Sequence, residues 1–194
     1  MRMPPTRLPN PLTALRLAGL PVLWVLALLN WQPALGIGLG LAALTDVLDG
    51  QLARRFPQFA DGRFDSRADK LLTFSVVVWL VLLKPQLFTA HAGLLLTATV
   101  IYAASLVYGW RKFGRVTALH LHSAKLGGLL QAVFVVHAFL TGGYSRPLLY
   151  LAVGVFILAA VEELLVQMAH PTLDDEAVRS ILPYLRARLK RPAA

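Results

Sequence analysis

The stretch that decides the fold is residues 46–70, which read DVLDGQLARRFPQFADGRFDSRADK. It holds five of the ten acidic residues of the chain, and long apolar runs lie on both sides of it. A carboxylate at the edge of hydrocarbon is costly unless a partner compensates its charge. We therefore expect a functional partner here, with a metal ion as the first candidate. A solvated turn between membrane helices is the alternative, but it does not explain Asp46, which follows a long uncharged run.

The spacing of the carboxylates predicts one oxygen-rich site. Asp46 and Asp49 are three residues apart, and Asp65 and Asp69 are four apart, so each pair shares one face of a helix. A proline and a glycine between the two pairs indicate a turn that brings the helices together. Oxygen ligands suit Mg²⁺ or Mn²⁺. Four carboxylates can hold two such ions roughly 3.5–4 Å apart, an arrangement that clamps a phosphoryl group during displacement.

The same stretch resembles the signature of a known family, the CDP-alcohol phosphotransferases, also called CDP-alcohol phosphatidyltransferases. The resemblance rests on Asp46-x-x-Asp49-Gly50-x-x-Ala53-Arg54, then Gly62, then Asp65-x-x-x-Asp69. The link from Arg54 to Asp65 is two residues shorter than in the family pattern. The second glycine stands three residues before Asp65 rather than four, and Asp61 holds the usual place. The resemblance covers the motif itself and, through its hydrophobic layout, most of the chain.

This resemblance implies an enzyme of phospholipid synthesis. It would transfer a phosphatidyl group from a CDP-linked donor, first of all CDP-diacylglycerol, to an alcohol and release CMP. It implies two Mg²⁺ or Mn²⁺ ions held by Asp46, Asp49, Asp65 and Asp69, with Asp69 also acting as base on the acceptor hydroxyl. The residues expected to contact the CDP part of the donor are Asp46, Asp49, Gly50, Ala53, Arg54 and Gly62. The family is also usually homodimeric.

The composition is that of a membrane protein. Of the 194 residues, 57% are hydrophobic and only 15% are charged. The net charge of +9 fits positive residues gathered on the cytoplasmic side of a membrane and near anionic headgroups, and no pattern typical of nucleic-acid binding accompanies it. Cysteine is absent, which excludes disulfides and thiol chemistry.

The apolar runs predict an all-α integral membrane fold with six transmembrane helices. We expect them near residues 12–30, 33–55, 66–83, 88–110, 122–140 and 146–168. Residues 1–170 would form one transmembrane domain, and residues 171–194 a short amphipathic helix at the membrane surface. Of the nineteen Lys and Arg residues, all except Lys84 and Arg146 fall on the side of both termini. The positive-inside rule then puts the termini and the site at the cytoplasmic face of a bacterial or archaeal cell membrane.

Basic residues outside the acidic stretch are the candidates for binding the acceptor. Arg16 in the first helix either faces the site or extends to the lipid headgroups. Arg111, Lys112, Arg115 and Lys125 lie in a basic segment on the same side, and Arg115 and Lys125 are the better candidates. Family members that use glycerol phosphate or inositol phosphate place basic residues here. The resemblance therefore favours glycerol 3-phosphate and leaves inositol phosphate, serine and another phospholipid open.

Histidines and glutamates elsewhere carry weaker signals. His120 and His122 lie near the predicted site, but their spacing of two points them to different faces of a helix, so a polar contact to substrate is favoured over metal ligation. Glu162 and Glu163 are expected to form a solvated helix end.

Two other functions remain open. An intramembrane prenyltransferase also uses Asp-rich motifs with Mg²⁺. Such an enzyme would have these motifs on two well-separated loops, whereas this chain has one Asp-rich region. A cation transporter would need carboxylates near the middle of the membrane, whereas these lie at helix ends. Turnover of a CDP-lipid against a prenyl diphosphate, and ion flux in proteoliposomes, distinguish the three functions.

Overall fold

All regular elements in the described part of the protein are α-helices. The structure is a computed structural model that describes residues 11–55, 62–115 and 121–169, with side chains described for residues 15–46, 48, 69–115 and 121–169. Its helices are α1 Pro11–Leu28, α2 Gln32–Arg55, α3 Gly62–Leu83, α4 Pro85–Ala90, α5 Ala92–Phe113, α6 His122–Leu140 and α7 Arg146–Ala169. The predicted all-α class is confirmed for these residues. The predicted tail, residues 171–194, lies outside them, as do Pro57, Asp61 and His120.

Local chemistry explains where the first helix ends. Asn30 adopts a left-handed conformation with φ of 53°. Its N–H donates to the carbonyl of Ala27, and the N–H of Trp31 donates to that of Leu26. This pair of hydrogen bonds is a Schellman motif with asparagine in the left-handed position, which satisfies carbonyls at the helix end. α2 can then begin at Gln32, one residue from the predicted start.

The predicted fourth helix differs most from the structure. The sequence predicts one helix over residues 88–110, whereas the structure has the short α4, a break at His91 and then α5. His91 is not helical, with φ −125° and ψ 25°. Its buried ring packs edge-on against Tyr150 of α7, with ring centroids 5.5 Å apart. A tertiary contact thus accompanies the break, and local helix propensity does not register such contacts.

The chain divides into two compact units. The first comprises residues 1–89 and 135–144, and the second comprises residues 90–134 and 145–194. The core of the first unit is apolar and is built from α1, α2, α3 and the end of α6. Its buried members are Leu23, Ala27, Leu35, Leu39, Trp79 and Phe139.

Glycines bring helices of the first unit close together. A Cβ placed on Gly36 would lie 2.6 Å from the backbone nitrogen of Leu140, at the end of α6. A Cβ on Gly38 would lie 2.4 Å from Cδ2 of Leu23 in α1. These two glycines thus permit close packing of the helices, whereas a Cβ on Gly40 would make only an ordinary contact with Val136, at 3.7 Å.

The second unit is organised by α5 and α7. The buried residues of α5 are small (Ala98, Ser105 and Gly109), so α7 can approach closely. α7 contributes a row of buried residues to the same unit: Leu149, Ala152, Val153, Ala159, Ala160 and Val166.

Three helices in the described residues are long and apolar enough to cross a membrane, namely α5, α6 and α7. α1 supplies a shorter apolar helix over Leu15–Leu28. α2 and α3 have the length of a span, but charged residues occupy the end of α2 and the start of α3. The acidic motif therefore shortens the apolar part of the two helices that carry it, and six spans remain a prediction.

Candidate functional site

Two carboxylates from the two halves of the acidic motif meet on one arginine. Asp46 lies in the second half of α2 and Asp69 about two turns into α3. Nη2 of Arg16 is 3.1 Å from Oδ1 of Asp46, and Nη1 is 2.7 Å from Oδ1 of Asp69. The structure thus places these two predicted site residues together, in the first compact unit, around a cation supplied by α1.

The burial of these three side chains is unequal. The Arg16 side chain is 2% exposed, whereas the side chains of Asp46 and Asp69 are 51% and 49% exposed. The guanidinium therefore lies on the protein side of the carboxylates, and the carboxylates lie at an accessible surface. Arg16 was predicted either to face the site or to extend to the headgroups, and in this structure it contacts the site carboxylates.

Packing of α1 against its neighbours holds the arginine in place. Trp24, about two turns after Arg16, donates its indole N–H to the hydroxyl of Ser75 in α3 over 3.0 Å. Its ring also packs edge-on against buried Trp79, with ring centroids 5.4 Å apart. α1 and α3 are thus joined by polar contacts at two levels, Arg16–Asp69 and Trp24–Ser75.

The remaining motif residues are described only through their backbone. Asp49, Gly50, Ala53 and Arg54 lie in α2, and Gly62 and Asp65 lie in the first turn of α3. α3 begins at Gly62, one turn before the predicted start at Ser66, so Gly62 belongs to the helix rather than to the turn. The side chains of Asp49, Ala53, Arg54 and Asp65 lie outside the described part, and the roles of all six residues remain predictions.

The donor chemistry fits a hard divalent cation. Asp46 and Asp69 present carboxylate oxygens at an accessible surface, and such oxygens are the ligands that Mg²⁺ and Mn²⁺ prefer. Among the side chains that the structure describes, no three His, Asp or Glu residues form a metal-binding group. Asp49 and Asp65, the other two predicted ligands, are not among those side chains.

The predicted acceptor residues of the basic segment belong to the second unit. Arg115 follows α5, Lys125 lies in the first turn of α6, and both are exposed. α5 ends at Gly114, which adopts the left-handed conformation with φ of 68° and whose N–H donates to the carbonyl of Trp110. The structure does not test a role for Arg115 or Lys125 in acceptor binding.

Lys112 has a structural role that sequence analysis did not find. Its Nζ donates to the carbonyls of Gln167 and Met168, at 2.6 and 3.3 Å. These carbonyls belong to the last turn of α7, where main-chain acceptors lack intrahelical donors and the helix dipole favours a cation. Lys112 therefore caps α7 from α5.

Glu162 and Glu163 do not form the solvated helix end that the sequence suggests. Glu162 accepts a hydrogen bond from the hydroxyl of Ser123 in α6, and Glu163 accepts one from the side-chain amide of Gln167 over 3.4 Å. Gln167 is fully buried and also donates to Ser105 of α5 over 3.4 Å. The expectation was wrong because Glu162 finds a polar partner on the neighbouring helix α6, and Glu163 finds one in Gln167 of its own helix.

Taken together, the described residues form a helical protein with membrane-capable helices, in which carboxylates of two helices converge on one buried arginine. A family model described as CDP-alcohol phosphatidyltransferase matches residues 6–168, from before α1 to the last turn of α7. The chain belongs to the CDP-alcohol phosphatidyltransferase family, as its motif predicted. No curated protein and no solved structure matches it.

Family membership defines the general activity. It implies a transferase of phospholipid synthesis that moves a phosphate-linked group from a CDP-alcohol to an alcohol acceptor, and the family generally depends on divalent metal ions. With three helices able to cross a membrane, it indicates an integral membrane protein.

Proposed function

We propose that this protein transfers a phosphatidyl group from CDP-diacylglycerol to a polar alcohol and releases CMP. The observation that carries the proposal is the meeting of Asp46 and Asp69 on Arg16, because it joins the two halves of the family motif in one place. A donor with a diphosphate and two acyl chains needs a charged site beside apolar surface. Large exposed apolar side chains on the same helices, such as Leu41 of α2 and Phe74 of α3, suit contact with lipid.

The acidic residues would have two roles at this site, metal binding and proton removal. Asp46, Asp49, Asp65 and Asp69 would hold two Mg²⁺ or Mn²⁺ ions, which would neutralise charge on the diphosphate when bound. Asp69 would also take the proton of the acceptor hydroxyl. Its carboxylate is half exposed, so an alcohol from the aqueous side can approach it. Gly50, Ala53, Arg54 and Gly62 would contact the CDP part of the donor.

The membrane arrangement follows from the distribution of charge. We infer six transmembrane helices with both termini and the site at the cytoplasmic face, because all Lys and Arg residues except Lys84 and Arg146 then lie on that side. In this arrangement α4 is too short to cross the membrane, since its six residues rise only about 9 Å. We also propose that the protein forms a homodimer, as the family usually does.

Glycerol 3-phosphate is the first candidate for the acceptor. Its phosphate would need basic partners, and we propose Arg115 and Lys125 for this role, because Arg16, the third candidate from the sequence, is buried against Asp46 and Asp69. Lys125→Ala and Arg115→Ala should raise the acceptor KM with little change in the donor KM. Equal wild-type activity with an uncharged acceptor such as serine or free inositol would refute a phosphorylated acceptor.

The deciding experiment is an acceptor screen with purified protein, CDP-diacylglycerol and Mg²⁺ or Mn²⁺, following CMP release. Asp49→Asn and Asp65→Asn should abolish turnover while expression and thermal stability persist. Near wild-type turnover of either variant at saturating metal would contradict the metal-site assignment. Release of CMP that depends on none of the offered alcohols would contradict the transferase assignment.

A further inference from the structure

Arg16 occupies a position that neither the donor nor the acceptor role explains. It is a charged residue within an apolar helix, and its side chain is 2% exposed. Burial of a cation is costly unless charged or polar partners surround it. Two of its donor nitrogens are used on two different carboxylates, one on α2 and one on α3. The guanidinium thus spans two members of the proposed ligand set.

A guanidinium can hold two carboxylates in a fixed arrangement, whereas an ammonium cannot. Its nitrogens form a rigid planar fork, so the contacts to Asp46 and Asp69 are fixed relative to each other. Both contacts use Oδ1, and the arginine lies on the buried side of carboxylates that are about half exposed. A cation arriving from the accessible side would therefore meet carboxylates whose orientation is already restricted from behind.

The packing of α1 against neighbouring helices holds Arg16 in place. The hydrogen bond from Trp24 to Ser75 fixes α1 against α3 about two turns beyond Arg16. Leu23 and Ala27 of α1 are buried in the core of the same unit. Because α1 is fixed by this packing, Arg16 can hold both carboxylates in a defined position.

We propose that Arg16 is a positioning residue that orients Asp46 and Asp69 for binding a divalent cation. The proposal rests on the proposed function, in which these two aspartates are metal ligands. Groups that orient metal ligands from behind typically change metal affinity by about 10–100-fold when removed. The opposing effect is electrostatic, because a nearby positive charge repels the metal ion. In this arrangement orientation outweighs repulsion, and the loss of Arg16 weakens binding.

The test measures Mn²⁺ binding rather than activity. The full chain is purified in detergent, and free Mn²⁺ is followed by electron paramagnetic resonance for the wild type, Arg16→Gln and Arg16→Lys. Both variants should bind Mn²⁺ about 10–100-fold more weakly, because neither side chain has the planar fork of a guanidinium. The ammonium of Arg16→Lys keeps only the charge. Lys70→Gln is the matched control. It removes one positive charge from an exposed position beside Asp69 and should not weaken binding.

Arg16→Lys keeps the charge, so it preserves a measurable protein if Arg16→Gln does not fold. Unchanged affinity in a folded Arg16 variant, with only a lower Tm, would overturn the proposal and leave a purely structural ion pair. Tighter binding by Arg16→Gln would also overturn it, since Arg16 would then act chiefly by repulsion. Absence of Mn²⁺ binding by the wild type itself would overturn the metal site and this proposal with it, an outcome distinct from the other two.

Discussion

Replacing Gly36 with alanine tests how the first unit holds α2, the helix that carries Asp46. A Cβ at this position would lie 2.6 Å from the nitrogen and 3.1 Å from Cα of Leu140, so the obstacle is backbone of α6. Overpacking of this kind costs about 1–3 kcal/mol. Alanine gains up to about 1 kcal/mol over glycine in a helix interior. Because backbone cannot give way as a flexible side chain can, the upper part of the cost range applies, and the free energy of unfolding should fall by roughly 1–2 kcal/mol.

Two neighbouring glycines provide matched controls on the same helix. At Gly40 a Cβ would meet only Cγ1 of Val136 at 3.7 Å, so Gly40→Ala should be neutral or stabilising by up to about 1 kcal/mol. At Gly38 the obstacle is Cδ2 of Leu23, the far end of a flexible side chain, so Gly38→Ala should lie between the other two.

The assay is unfolding of the purified protein in mixed detergent micelles, followed by tryptophan fluorescence. Of the four tryptophans, Trp24 and Trp79 pack against each other in the affected unit, so a change in their contribution to the emission reports the packing of α1 and α3. We expect the order of stability Gly40→Ala, Gly38→Ala, Gly36→Ala, from highest to lowest. Equal stability of Gly36→Ala and Gly40→Ala would refute the close approach of α2 and α6.

Three further predictions concern single side chains. Asp69→Asn should lower turnover by about 10²–10⁴-fold while the CDP donor still binds, and loss of donor binding in a folded variant would instead make Asp69 chiefly a metal ligand. Lys112→Met should lower thermal stability but not raise the acceptor KM, because Lys112 caps α7; exposed Arg111→Met is the control, and a raised KM would contradict the capping role. Lys84→Ala should cost about 1–3 kcal/mol of stability, since buried Lys84 donates to the carbonyl of Gly142; exposed Arg146→Ala should cost far less, and equal losses would contradict this reasoning.

The helices themselves were largely predictable from the sequence. Apolar runs bounded by prolines, glycines and charges predict α6 at the residues that the structure shows, and α2 and α7 to within one residue at either end. Such boundaries depend on local chemistry, which a sequence displays directly. The break at His91 was not predictable in this way, because the ring that packs there belongs to Tyr150, far along the chain.

The candidate site shows the same limit in its electrostatics. A charge inside an apolar helix requires a partner, so the sequence alone indicates that Asp46 must find one. It does not indicate which one, since the choice depends on how helices are rotated and packed. The sequence makes Lys112 a candidate for binding the acceptor, but in the structure Lys112 caps α7. It makes Arg16 either a headgroup anchor or a site residue, and in the structure Arg16 contacts two aspartates.

Lys112 and Arg16 illustrate two different roles that a basic residue near a predicted site can have. A cation that reaches main-chain carbonyls stabilises a helix end and contributes to function only through folding. A cation that is buried behind two accessible carboxylates acts on the very groups that would bind the ligand, so its removal alters both the charge and the geometry of the site. Charge counts treat Lys112 and Arg16 alike, but burial and contact partners distinguish them. For this reason the metal affinity of the Arg16 variants is more informative about the chemistry of the site than the activity of any variant in the basic segment.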